Sequence, residues 1–296
     1  MVEQGPGLRP PRRRTGRRIA AVLGLLVVIA VGVYAAIALV GSGSPQAARS
    51  TAPSTTVPPP KPFRVVFPEG FTRAQMAQRV AVVAKIAKGE HRGKPRLSKK
   101  TYLAATRPRR VPGFGSEKRP LEGFLFPATY DFLAQTTSKQ LVAAQLAAFK
   151  RNFGSIDLAY ATSKNLTPYD VLTIASMIER EAQVPGERAK IAAVIYNRLH
   201  ARMPLGIDAT IRYGLHIAPT QSLTQSELAS DNPYNTRNRL GLPPTPIANP
   251  GLASVQAAAH PAHVDYLYFV RKPDKRHHYF TANYEDFVNH EHLYGY

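Results

Sequence analysis

The spacing of apolar and polar positions divides the chain into an N-terminal apolar run, a polar tether and a long mixed region. Ile19 to Val40 runs 22 residues without a charge. A helix over that run is roughly 33 Å long, enough to cross a hydrocarbon core of about 30 Å, so it predicts a transmembrane helix over residues 19–40. Residues 1–18 carry six arginines against one acid, and the positive-inside rule keeps such a basic tail cytoplasmic. The run is longer than the apolar core of a secretory leader, which predicts an uncleaved, single-pass anchor in the plasma membrane with everything beyond Val40 extracytoplasmic. Residues 41–60 are rich in Ser, Thr and Pro with one charge, a composition that reads as an extended linker.

Beyond residue 60 the pattern alternates between strand and helix periods. Phe63–Phe67 alternates as a short strand closed by the turn Pro68-Glu69-Gly70. Thr72 with Gln75 forms a capping box, and Met76, Val80, Val83 and Ala87 make one apolar stripe. Ser98 caps a second, short helix. Leu121–Pro127 is aromatic and extended. Thr137/Ser138 opens a helix with Leu141, Ala144, Leu146, Phe149 and Phe153 on its apolar side. Thr167-Pro168-Tyr169-Asp170 places a cap, a helix-starting proline and a first-turn acid ahead of Val171, Ile174, Ala175, Ile178 and Ala182. A further amphipathic helix carries Ile191, Val194, Ile195 and Leu199. Asp208–Leu215 and Asn232–Thr236 read as polar, aromatic loops, and Tyr266–Val270 with His278–Phe280 as a hairpin. The fold class expected is α+β.

The 296 residues contain 39 Lys+Arg, 19 Asp+Glu and no cysteine. That removes disulfide scaffolds, zinc–thiolate sites and thiol nucleophiles. Residues 61–296 keep a formal charge of +14. On the far side of a membrane this excess points to anionic envelope components rather than nucleic acid. No Gly-x-Ser-x-Gly, Ser-x-x-Lys or His-Glu-x-x-His occurs, so serine-hydrolase and zinc-protease patterns are absent. His277/His278 and His290/His292 read as surface residues, and no metal or cofactor is expected.

Carboxylates remain. Glu179 and Glu181 stand at the end of the Thr167 helix, roughly 160° apart around its axis at about 100° per residue. They are therefore expected to face different sides, one entering a cleft and the other facing solvent or a basic neighbour. A helix C-terminus and apolar surroundings both push a carboxyl pKa upward, as a general acid near neutral pH requires. The long polar and aromatic loops are suited to an extended polar ligand such as a glycan.

The segments LEGFLFPATYDF, LTIASMIEREA, ERAKIAAVIYNRL, MPLGIDATIRYGL, NPYNTRNRLGLPPTPIANPG, AAAHPAHVDYLYFV and HHYFTANYEDF occur in this order. Together they resemble the endolytic murein transglycosylases of the YceG-like (MltG) family, over residues from about Phe63 to the C-terminus. The resemblance implies a LysM-like subdomain over residues 61–118 and a catalytic domain over 119–296. It implies a lyase that cuts nascent peptidoglycan strands at MurNAc–GlcNAc bonds, leaves 1,6-anhydro-MurNAc ends and so terminates elongation. Glu181 is the matching general acid and then base, with Glu179 as secondary candidate. Ser176, Asn197, Asp208, Thr210, Tyr234, Asn235 and Thr236 match motif positions as groove residues. Partners implied are glycan strands, the membrane and wall-synthesis proteins. Gly206, Ala209, Ala128 and Phe287 depart from the usual motifs. The alternative is a catalytically silent peptidoglycan-binding scaffold of wall synthesis.

Overall fold

The helix starts are written locally. In the computed structural model, which describes residues 62–90 and 95–296, the helices α1 (Arg73–Gly89), α2 (Lys99–Ala105), α3 (Ser138–Phe153) and α5 (Pro168–Glu181) all open on reciprocal capping boxes. The cap residues are Thr72, Ser98, Thr137 and Thr167, each accepting from the backbone three residues on, which satisfies donors the first turn otherwise leaves unpaired. The remaining helices are α4 (Ala159–Ser163), α6 (Arg188–His200), α7 (Asp208–Gly214), α8 (Gln225–Leu228), α9 (Leu252–Ala259) and α10 (Tyr284–Tyr294). The tail, span and linker expected over residues 1–60 lie outside the described residues. Among those described, no helix is long and apolar enough to cross a membrane.

Among the described residues, strands form three antiparallel ribbons. β1 (Phe63–Val66) pairs with β4 (Thr129–Phe132), Phe63 opposite Phe132 and Val66 opposite Thr129. The partner of β1 thus lies beyond residue 118, with α1 and α2 between the two strands in sequence. β2 (Arg109–Arg110) pairs with β3 (Lys118–Arg119), and β5 (Tyr268–Arg271) with β6 (His278–Thr281), the expected terminal hairpin. Two-stranded ribbons need a packed face to persist. β1 buries Phe63 and Val65 against α1, whose Met76, Val80 and Ala87 are buried as the apolar stripe requires, while Val83 is only partly so.

The core is organised around α5. Tyr169 and every residue from Val171 to Ile178 are buried, so this helix is enclosed all round instead of presenting the single stripe expected. Its polar side chains are matched to that burial: Thr173 Oγ1 donates to Tyr169 O, and Ser176 Oγ donates to Thr173 O and accepts from Ile247 N, leaving nothing unpaired. Phe114, Phe124, Phe149 and Phe153 form one aromatic cluster, with centroids 4.9–5.6 Å apart. In α3 Gln145 is buried while Ala144, expected on the apolar side, is exposed. The Tyr102 hydroxyl donates to Gln145 at 2.7 Å, which accounts for the burial of the amide. Asp208–Gly214, read from sequence as loop, is helical.

Candidate active site

Because α5 is buried along its length, its last turn delivers Glu179, Arg180 and Glu181 to a fixed place. They border a polar cleft of about 590 Å³, together with the N-terminal end of α7, Arg237 from the loop after α8, and Phe269, Arg271 and His278 from the last hairpin. Glu181 is the final helical residue, with the chain leaving through an extended Ala182. Its side chain keeps 13% of its surface exposed, and Arg271 Nη2 stands 3.8 Å from Oε2. Burial pushes the Glu181 carboxyl above its ordinary range, against the opposing pull of Arg271 and Arg180 and an amide hydrogen bond from Ala209; the nearby Asp208 carboxylate adds to the rise. A carboxyl so placed reaches a ligand from the cleft while holding its proton to higher pH than a solvated one.

Glu179 also borders this cleft, so the two glutamates are not segregated as the helical angle suggested. Their carboxylates are nevertheless used differently. Glu179 Oε2 accepts from Gly251 N at 3.0 Å and Ser254 Oγ at 2.7 Å. It therefore caps the start of α9 from another helix, an acid at the positive end of a helix dipole. Burial raises its pKa, while Ser254 and Gly251 pull it back.

Residues 44–292 match the YceG-like family. The chain belongs to the YceG-like family. A protein of Bacillus subtilis named endolytic murein transglycosylase is 41% identical over 157 residues, covering 52% of this chain and 43% of that protein. One of the same name from Streptococcus pneumoniae is 33% identical over 247 residues, or 75% of this chain and again 43% of the relative. The chain thus spans less than half the length of these curated relatives. The crystal structure of a yceG-like protein from Listeria monocytogenes superposes with a TM-score of 0.64 at 32% identity, covering 77% of this chain and 76% of the other.

The YceG-like motif residues expected in the groove fall into two sets. Glu181, Asp208 and Glu179 border the cleft. Asp208 begins α7 and pairs with Arg237 at 2.8 Å. The others build the frame beneath. Thr236 Oγ1 accepts from Ile207 N and meets Thr210 Oγ1 at 3.0 Å, both side chains being buried, so they fix the turn that presents Asp208. Asn235, fully buried, donates to Leu228 O and Ser230 O. Tyr234 meets Thr245 through its hydroxyl. Asn197 donates to Val264 O and Tyr266 O and so holds the approach to β5, the strand that carries Arg271. Ser176 is enclosed in the core.

Several residues at the cleft escaped sequence reading. Arg237 and Arg271 come from segments without helical pattern, and nothing in their spacing linked them to Glu181. His278, read as a surface residue, is buried, its Nδ1 2.7 Å from Glu187 Oε2 and its backbone N–H on Glu187 Oε1. Burial lowers its pKa against the opposing effect of Glu187, which favours a neutral ring whose Nδ1–H is donated to that carboxylate. The alternating His278-Tyr279-Phe280 strand was the available signal for an inward side chain. Among the family departures, Gly206 has φ +63 and its N–H bonds Thr236 O. Glycine occupies that left-handed position without steric cost.

Proposed function

We propose that the chain is a membrane-anchored peptidoglycan lytic transglycosylase working in this cleft. The observation that carries the reading is the shielded carboxyl of Glu181 at the end of a buried helix, beside a polar cleft of about 590 Å³. In the reaction, protonated Glu181 gives its proton to the glycosidic oxygen between MurNAc and GlcNAc as the C1–O bond breaks. The resulting carboxylate takes the proton of the MurNAc 6-hydroxyl, whose oxygen bonds to C1. The acid is restored, no water is consumed, and the new end is 1,6-anhydro-MurNAc. A single carboxyl suffices, in contrast to the carboxyl pairs of hydrolytic glycosidases. Arg271 stabilises the carboxylate formed midway. The names of the 41% and 33% identical relatives support the same reaction class.

The strand–helix–helix–strand unit formed by β1, α1, α2 and β4 is proposed as the LysM-like, glycan-binding part, extending past residue 118 to include β4. Residues 19–40 are proposed as the anchor, with wall-synthesis proteins as partners on the outer side.

Mass spectrometry of soluble products from uncrosslinked glycan strands tests the reaction, with the full chain beside Glu181→Gln. Anhydro ends from the parent and none from the variant support it. Reducing ends make it a hydrolase. Binding without cleavage by either protein transfers the reading to a silent scaffold.

A further inference from the structure

A second cavity lies away from the cleft and shares none of its residues. It also encloses about 590 Å³, within the range of about 300–1,000 Å³ usual for ligand pockets. Its interior is apolar, built mainly from Val111 and Phe114 of the β2–β3 loop and Leu146, Phe149 and Phe153 of α3. Three cations, Arg109, Arg110 and Lys150, complete the lining, and no acid contributes to it.

The hairpin at its edge is paired against electrostatic preference. Arg109 stands opposite Arg119, and Arg110 opposite Lys118. Like charges directly across an antiparallel pair are destabilising, and a ribbon of two residues a side has little hydrogen bonding to offset them. Arg109 is held by Ala105 O, while Arg119 donates to Phe114 O and lies 3.9 Å from the Tyr169 ring centroid. Arg110 and Lys118 have no carboxylate partner among the described residues and are exposed. Arg110, a cation without a counter-ion in the wall of an apolar hollow, with Lys118 opposite it across the ribbon, is complementary to an amphiphile with an anionic head and a hydrocarbon tail.

We propose that this cavity binds an anionic phospholipid, one acyl chain lying along Phe149 and Leu146 and the phosphate meeting Arg110 and Lys118. The inference rests on the proposed anchor over residues 19–40, which would hold the chain at a bilayer containing such lipids. The tail supplies apolar burial and the cations add attraction to anionic headgroups. A free phosphate would engage the rim and leave the apolar wall uncovered.

Full chain in nanodiscs, supplied with phosphatidylglycerol or phosphatidylcholine carrying a photoreactive group near the tail end, tests this by mass spectrometry of the labelled peptides. Phosphatidylglycerol is expected to label the α3 segment around Leu146–Phe153. Arg110→Glu with Lys118→Glu is expected to cut that labelling by at least about tenfold, the effect of reversing two headgroup-facing cations. Neither residue borders the catalytic cleft, so glycan turnover is expected to be unchanged, and the lipid result is readable whether or not the lytic assignment stands. Equal labelling by the two lipids, labelling indifferent to the charge reversal, or labelling confined to other segments overturns the proposal. So does protection of residues 109–119 from hydrogen exchange that rises with protein concentration in the absence of phosphatidylglycerol, which would make the face a contact between two copies.

Discussion

Asn249 donates through Nδ2 to Glu122 Oε1 at 2.8 Å, inside the protein and across 127 positions of sequence. The same oxygen accepts from Arg73 N at the start of α1, and the other accepts from Tyr213 OH near the end of α7. Asn249 also donates to Phe71 O and accepts from Leu125 N. One carboxylate thus ties the first helix, the Leu121–Pro127 segment and the helix that begins with Asp208. Burial raises its pKa from 4.5 to about 7 despite the three donors.

A raised folded-state pKa means that the folded protein holds this proton more tightly than the unfolded chain. The associated stability is fully present below pH 4.5 and is lost as pH rises towards about 7. The expected loss is about 3 kcal/mol across that window. Denaturant unfolding at a series of pH values measures it. Glu122→Gln, which keeps an acceptor and cannot titrate, is expected to remove this part of the slope.

For the proposed reaction the relevant pair is Glu181 and Arg271. In that reaction Glu181 would begin protonated, so activity is expected to fall as pH rises through its elevated pKa. Arg271 lowers that pKa, and Arg271→Gln is expected to move the alkaline limb of kcat/KM to higher pH. Glu181→Gln is expected to reduce kcat by about 10²–10⁴-fold. An alkaline limb unmoved by the Arg271 change would separate the two residues functionally.

The Glu187–His278 contact predicts a stability effect. Removing the Glu187 carboxylate leaves two buried donors of His278 unpaired, each costing about 1–3 kcal/mol. Thermal unfolding of Glu187→Ala should show the larger loss. Glu187→Gln, with one good acceptor in place of two, should fall between it and the parent.

Gly123 has φ +86, and a Cβ there would sit 2.7 Å from two Pro246 carbons and 3.2 Å from Leu172. Both neighbours are packed on α5 or its covering loop. Gly123→Ala is expected to destabilise by about 1–3 kcal/mol from overpacking, with a further penalty for the left-handed backbone. A variant that unfolds at the parent's denaturant midpoint would contradict this close approach.

What could be read from sequence depended on how local its cause was. The starts of α1, α2, α3 and α5 were legible because each capping box lies within four residues. The hairpin of β5 and β6 was legible from its alternation and its turn. α9 was not, because Gly251 has no capping side chain of its own and its amide is capped by Glu179, which belongs to another helix. α7 likewise starts without a local side-chain cap. At the cleft, the helix pattern offered Glu179 and Glu181 alike, and only the family resemblance singled out Glu181. Arg237 and Arg271 were not legible, since only the folded chain brings them beside it. Thr210, Asn235 and Thr236 show the converse: residues of sugar-binding type whose hydrogen bonds are spent holding the backbone.

The register of β1 on β4 has a mechanical side. Phe63 pairs with Phe132, so the strand where the described chain begins and the strand that leads onward to α3 share one end of the ribbon. Tension applied ahead of Phe63 would load these hydrogen bonds one after another, as in opening a zipper, instead of all together in shear. The ribbon would yield first at Phe63, and the next point to bear the pull would be Gly70, whose N–H bonds Asn249 O and whose carbonyl accepts from Arg180 in the last turn of α5.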